Sequence, residues 1–269
     1  MKIILKKNDL KKLVKNNKNL GFVPTMGGLH KGHEQLIKKS LSICEKTIVS
    51  IFVNKYQFNN KKDLLKYPRR IKKDILYLKK LRVNYLYLPT NNQIYPNGPK
   101  KKINIHSFEK VLCGKFRPGH FSAVVDVIDK FIKIINPRKL FLGEKDMQQL
   151  KIVEYFINQK YKKIELIACK TVRGKNGVPY SSRNFTLSKN QLKIASSVYK
   201  FISKSKKKLL SQNISVDFVK KKIKKIGVSR IEYINIFDIN KITKPYIKKN
   251  KNKVFISYYL NKTRLIDNI

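Results

Sequence analysis

Two histidines three residues apart, just behind a glycine turn, carry the clearest chemistry in the chain. They lie in Phe22-Val23-Pro24-Thr25-Met26-Gly27-Gly28-Leu29-His30-Lys31-Gly32-His33. An apolar run enters the turn. A helical pattern leaves it, with Leu36, Ile37, Leu41 and Ile43 in its apolar positions. Glycine lets backbone N–H groups approach a ligand closely. The helix start adds unpaired N–H groups and a positive dipole end, which favour anions. His30 and His33, at i and i+3, can share one helix face and point at the same phosphate. The pattern predicts a site for the triphosphate of ATP. A surface loop with two exposed histidines is the plain alternative.

Four further segments have chemical content. In Ser50-Ile51-Phe52-Val53-Asn54-Lys55-Tyr56-Gln57-Phe58 a hydrophobic strand ends in amides set among aromatics. Such amides can grip a small polar substrate through donor and acceptor alike, or simply cap the strand end. Arg117-Pro118-Gly119-His120-Phe121 presents an arginine and a histidine on a turn just before a helix, suited to anion contact or to a turn alone. Gly143-Glu144-Lys145-Asp146-Met147-Gln148-Gln149 resembles a second phosphate or ribose corner. Lys145 would supply a cation there, Asp146 a Mg²⁺ ligand or a helix cap, and Gln149 a substrate contact beside Gln57. Ser181-Ser182-Arg183-Asn184 offers two hydroxyls and a guanidinium on a loop that could close over a triphosphate.

The elements that must position these residues alternate. Strand patterns fall at residues 21–23, 47–53, 85–88, 139–142 and 164–168. Helical patterns fall at 32–45, 63–81, 121–135 and 145–159. This predicts an α/β fold with a mainly parallel sheet covered on both faces. Ligands in such sheets sit beyond the carboxyl ends of the strands, where the His-x-Gly-His turn, the loop after Val53 and the Gly143 turn all lie. Past residue 175 the pattern changes. Helices at 188–210 and 216–226 and alternating strands at 231–238 and 253–260 suggest a smaller α+β unit. The expected division is 1–174 and 175–269.

Composition invites a nucleic-acid-binding reading, with 62 Lys+Arg against 16 Asp+Glu and a formal charge of +46. The lysines are dispersed, however, and accompany abundant Asn and Ile, as A+T-rich codons would produce. A localised basic-aromatic surface is missing from the pattern, so no specific nucleic-acid partner is expected. Only nine of the basic residues are arginine. Arg69, Arg117, Arg173, Arg183 and Arg264 fall in otherwise special segments and are candidate ligand contacts, because the guanidinium fork holds carboxylates and phosphates bidentately. Arg70, Arg82, Arg138 and Arg230 read as surface ion pairs. Cys44, Cys113 and Cys169 form no metal or disulfide pattern, which suggests the reduced cytoplasm. No apolar run of transmembrane length occurs, and Met1-Lys2-Ile3-Ile4-Leu5-Lys6-Lys7 is too short a run for a secretory signal.

Taken in order, the segments 23–33, 50–58, Tyr67-Pro68-Arg69, 117–121, 143–149, 181–184 and Arg264-Leu265-Ile266-Asp267-Asn268 resemble the pantoate–β-alanine ligase family over nearly the full length. The resemblance implies a Rossmann-like domain of the cytidylyltransferase superfamily type, a smaller C-terminal lid domain and a homodimer. It implies that pantoate, ATP and Mg²⁺ give pantoyl adenylate and pyrophosphate, and that β-alanine then displaces AMP to form pantothenate. It assigns ATP contacts to Met26, Gly27, Gly28, Leu29, His30, Lys31, Gly32 and His33, to Gly143, Glu144, Lys145 and Asp146, and to Val172, Tyr180, Ser181, Ser182 and Arg183. The resemblance further implies that His33, His30, Lys145 and Arg183 carry the catalysis, with His33 the family's proton donor, and that Gln57 and Gln149 bind pantoate, with Gln57 also near β-alanine. Another nucleotidylyltransferase on the same fold would share the histidines but not the paired glutamines. Lys55, Lys62, Cys113 and Tyr180 depart from the family's usual residues at their positions.

Overall fold

The computed structural model describes residues 1–100, 103–239 and 252–269. The chain opens with β1 (Lys2–Ile4), α1 (Lys7–Val14), β2 (Leu20–Thr25), α2 (Lys31–Ile43) and β3 (Lys46–Ile51). There follow α3 (Lys61–Lys66), α4 (Ile71–Lys80), β4 (Tyr85–Tyr87) and the single turns α5 (Asn91–Ile94) and α6 (Cys113–Phe116). Then come α7 (His120–Ile135), β5 (Lys139–Gly143), α8 (Met147–Lys160) and β6 (Glu165–Cys169). The C-terminal third holds α9 (Lys189–Leu210), α10 (Val216–Lys225), β7 (Arg230–Asp238), β8 (Asn252–Leu260) and β9 (Thr263–Asn268).

The first six strands form one parallel sheet in the order β1-β4-β3-β2-β5-β6. The central strands are apolar along their length because helices cover both faces. On one face Phe22, Ile48 and Leu140 meet Phe131 and Ile135 of α7 and Val153 of α8. On the other, Val23, Val49, Leu86 and Phe141 meet Ile37 of α2 and Leu78 of α4. Burying each such side chain contributes about 1.5–3 kcal/mol. Helix α7 is buried nearly all round and stops at Asn136, in the left-handed conformation with φ 50°, ahead of Pro137.

Strands β7, β8 and β9 form an antiparallel sheet with an apolar face on each side. Ile234, Val254 and Ile256 pack under α9 and α10. Tyr233 and Phe255 join the first core beside Phe108. Helix α9 starts in a capping box, with Ser188 and Gln191 each bonding the other's backbone.

The predicted α/β architecture is present, with two changes and, beyond the single turns, three additions. Residues 63–81 form two helices rather than one. Pro68 disfavours helical geometry at the residue before it, and Tyr67 is extended with ψ 128°. Residues 144–146 form a 3₁₀ turn before α8 begins at Met147, so the helix expected from 145 starts two residues late. The additions are β1, α1 and β9. Each is short, and β9 depends on its antiparallel partner β8 rather than on its own pattern.

Candidate active site

Strand β2 pairs with β3 on one side and β5 on the other. The chain leaves β2 toward β3 and leaves β5 toward β6, so the two connections diverge. That divergence opens a crevice at the strands' carboxyl ends, the ligand position in doubly wound sheets. A cavity of about 320 Å³ lies there. Its lining includes His30 and His33 after β2, Gln57 after β3, Lys145 and Gln149 after β5, and Ser182 and Arg183 from the loop after β6.

The glycine turn is held from within. Gly27 N–H donates to Thr25 Oγ1 at 3.2 Å. Gly28 and Leu29 N–H donate to the two carboxylate oxygens of buried Asp74, at 2.9 and 2.8 Å. These three N–H groups are thereby engaged and do not face the cavity. Gly27, Gly28, Leu29, Lys31 and Glu144 are not among its lining residues, whereas Met26, His30, Gly32 and His33 are. Both Gly27 and Gly28 have positive φ, 82° and 62°, so the bend there needs glycine.

His30 caps α2, its Nδ1 accepting the Gly32 N–H at 3.1 Å. Nδ1 therefore carries no proton, and Nε2–H remains as a donor. The two imidazoles lie 4.1 Å apart, centre to centre. Burial, then His33 and Lys145, push His30 down to about 2. Burial pushes His33 down to about 4 against the opposing pull of Asp146. Both rings are neutral at pH 7. His33 Nδ1 is buried without a partner among the described residues. Lys145 Nζ stands 3.2 Å from Asp146 Oδ1 on the 3₁₀ turn.

A 3₁₀ turn, Lys55–Gln57, forms the wall beyond β3. Asn54 caps it, and its Nδ2 donates to Ala123 O of α7 at 3.2 Å. The Gln57 carbonyl accepts from His120 Nδ1 at 2.9 Å and Arg117 Nη2 at 3.1 Å. Arg117 Nη1 donates to His120 Nε2 at 2.9 Å, which fixes the proton on Nδ1. Burial, then the Arg117 charge, drives His120 well below its ordinary value. Burial, with Arg183 and Arg264 nearby, lowers Arg117 to about 10. The neighbouring glutamines Gln148 and Gln149 both border the cavity, and the Gln148 side chain bonds the backbone of Phe108, Val111 and Cys113.

Strand β9 locks the far wall. Asn268 Nδ2 donates to the carbonyls of Glu144 and Lys145 at 2.9 and 2.8 Å. Asp267 takes the Arg173 fork at 2.7 and 2.8 Å. Arg264 pairs with Glu232 at 2.7 Å and touches the Cys113 sulfur at 3.5 Å. Arg173, expected as a ligand contact, thus holds the scaffold, and Arg264 does so while also lining the cavity. Arg183 lines the cavity but also engages the Arg264 carbonyl and Asp63, at 2.9 and 3.0 Å. Ser182 is buried, and Val172, Tyr180 and Ser181 complete this side. Arg69 is exposed and is not a lining residue. Arg70 stacks on Phe185 at 4.1 Å instead of forming an ion pair.

The sequence reading missed Asp74. Its signal was an acid in the apolar phase of a helix, three residues after Ile71 and four before Leu78, in a chain with only 16 acidic residues.

A family model for pantoate-beta-alanine ligase matches residues 2–269. The chain belongs to the pantoate–β-alanine ligase family. It is 40% identical over 265 residues to the pantothenate synthetase of Clostridium botulinum (strain Langeland), covering 96% of this chain and 94% of the relative. Its fold is similar to the pantoate-beta-alanine ligase of Francisella tularensis complexed with beta-gamma ATP and beta-alanine. There the TM-score is 0.84 and the identity 34%, over 100% of this chain and 97% of that one. The pantothenate synthetase of Thermus thermophilus is similar at TM-score 0.88 and 27% identity, over 100% and 99%.

Proposed function

We propose that this chain condenses pantoate with β-alanine using ATP, and that the crevice between the turns after β2 and β5 is where it does so. The observation that carries the site is the convergence of His30, His33 and Lys145 with Gln57 and Gln149 in one cavity at the sheet's switch point. Membership of the ligase family supports the reaction.

A carboxylate is a poor electrophile and must be activated before an amine can displace anything from it. In the first step a pantoate carboxylate oxygen attacks the α-phosphorus of ATP. The bond to the β-phosphate oxygen breaks, and pyrophosphate leaves with the electron pair. In the second, the β-alanine amine attacks the acyl carbon and AMP departs. Both steps depend on positioning and on fixed donors where negative charge gathers. Lys145 is the permanent cation on the phosphate side. The His30 Nε2–H is a neutral donor held rigidly by its cap bond. His33 is neutral before substrate arrives, and an adjoining polyphosphate raises its proton affinity, so it gathers charge as the anion binds. Arg183, Ser181 and Ser182 border the same space, with Met26, Gly32, Gly143, Asp146, Val172 and Tyr180 around the nucleotide. Gln57 and Gln149 offer amide donors and acceptors to pantoate.

No group of three or more His, Cys, Asp or Glu among the described residues could hold a metal alone. Mg²⁺ is bound by one or two carboxylates together with substrate phosphates. Asp146 is the carboxylate placed for it, and the ion would neutralise phosphate oxygens. We further assign the chain a homodimeric state, a cytoplasmic location and the two domains 1–174 and 175–269. No helix among the described residues is long and apolar enough to cross a membrane, and the three cysteines are free thiols.

The test is ATP–pyrophosphate exchange. Exchange should require pantoate, and AMP release should further require β-alanine. Failure of pantoate to drive exchange would sink the reading. His33→Ala and Lys145→Ala should each lower exchange by about 10²–10³ without loss of fold, as removal of one fixed donor does.

A further inference from the structure

The Gln57 carbonyl receives two donors from one short segment, and both donors are desolvated side chains. We propose that Arg117 and His120 are positioning residues that fix the 3₁₀ turn Lys55–Gln57 and thereby aim the Gln57 amide at pantoate. The proposal rests on the reading that Gln57 contacts that substrate.

Three hydrogen bonds close the arrangement. His120 Nδ1–H and Arg117 Nη2–H converge on the carbonyl, and Arg117 Nη1–H bonds His120 Nε2. The imidazole therefore has one usable tautomer. Gly119, at φ 76°, turns the chain so that α7 begins at His120 with its ring directed back at the turn. A second tie, Asn54 Nδ2–H to the Ala123 carbonyl, fastens the other end of the turn to the same helix. A turn of three residues has little hydrogen bonding of its own. Its internal closures among the described residues are Gln57 N–H to Asn54 O, Phe58 N–H to Lys55 O and the cap bond from Tyr56 N–H to Asn54 Oδ1. The side chains of α7 and the segment before it therefore set the orientation of the turn.

The chemistry of the anchor argues for precision rather than bulk stability. A neutral hydroxyl or amide would satisfy one carbonyl. Here a half-buried guanidinium lies beside two others, Arg183 and Arg264, with Asp63 and Glu232 as the carboxylates facing the group. Desolvating such a charge is costly. In return the carbonyl is held in a fixed fork whose geometry lysine could not reproduce. The Gln57 side chain makes no hydrogen bond to another described residue and is left to face the cavity it lines.

Two amide variants separate the two contacts of the imidazole. In His120→Asn the side-chain amide nitrogen overlays Nδ1 and can still donate to Gln57. In His120→Gln the terminal amide overlays Nε2 and can still accept from Arg117, but the Gln57 contact is lost. His120→Ala loses both. For His120→Gln and His120→Ala we expect KM for pantoate in ATP–pyrophosphate exchange to rise about 10–100-fold, as a lost hydrogen bond to a well-placed buried group does. KM for ATP should change less than about threefold, and His120→Asn should recover pantoate KM to within about threefold. Amide hydrogen exchange of residues 54–58 should quicken in His120→Gln and His120→Ala and return toward wild type in His120→Asn. An equal rise in KM in all three variants overturns the proposal. So does a matching rise in KM for ATP, or unchanged protection of residues 54–58 in His120→Gln. If wild-type protein shows no pantoate-dependent exchange, the functional reading fails on its own, and amide protection still decides whether His120 holds the turn.

Discussion

His33 shows how one residue's environment sets its chemistry. Its ring is buried against His30, with Lys145 and Asp146 in range, and its proton affinity falls to about 4. The sign of the consequence is fixed. Between pH 6.5 and 4 the unfolded chain binds a proton at this residue and the folded chain does not, so stability falls as pH drops through that window. His30, lowered to about 2, and His120 act in the same direction. Replacing His33 by Gln should make the loss of melting temperature between pH 6.5 and 5 shallower than in wild type. An unchanged slope would show that His33 is protonated in the fold at those pH values. The histidines were legible in sequence as a pair on one helix face, but their neutrality was not. Burial and the Lys145 charge come from β5 and the turn after it, more than 100 residues away.

At the scale of elements, the glycine turn owes its shape to another helix. Asp74 of α4 accepts two successive N–H groups that the sequence pattern assigned to a phosphate. Removing the carboxylate in Asp74→Ala leaves two buried donors unsatisfied and should cost about 2–4 kcal/mol in urea unfolding, with Asp74→Asn in between. A loss below about 0.5 kcal/mol would mean that water or substrate takes over those bonds. The same lesson holds in the Gln148-Gln149 pair. The sequence marks two adjacent amides that both border the cavity, and only the tertiary structure ties the Gln148 amide to the backbone of Phe108, Val111 and Cys113. Strand order could be anticipated as parallel from alternating patterns. The switch point between β2 and β5 could not, because pairing joins residues 21–22 to 139–140 with no local signal for it.

For the whole molecule, charge outweighs every other feature of the surface. With 62 basic and 16 acidic residues, the described ion pairs can neutralise only a minority of the lysines. Self-repulsion of that size destabilises the compact state and is screened by salt. Raising NaCl from about 0.02 to 0.5 M, which shortens the screening length from tens of ångströms to a few, should raise the melting temperature by several degrees; a flat or falling curve would refute this. Three of the rare carboxylates sit at buried junctions. Asp129 gathers Lys100, Lys133 and Lys160. Asp267 takes Arg173, and Glu232 takes Arg264. By itself the sequence determined the layered α/β class, the family and the segments that meet at the site, because periodicity and short motifs are local properties of the chain. The tertiary structure alone decided which arginines border the cavity and what each one holds, which N–H groups of the turn are free, and the charge state of each histidine. Those depend on burial and on partners brought together from distant residues, which no local pattern encodes.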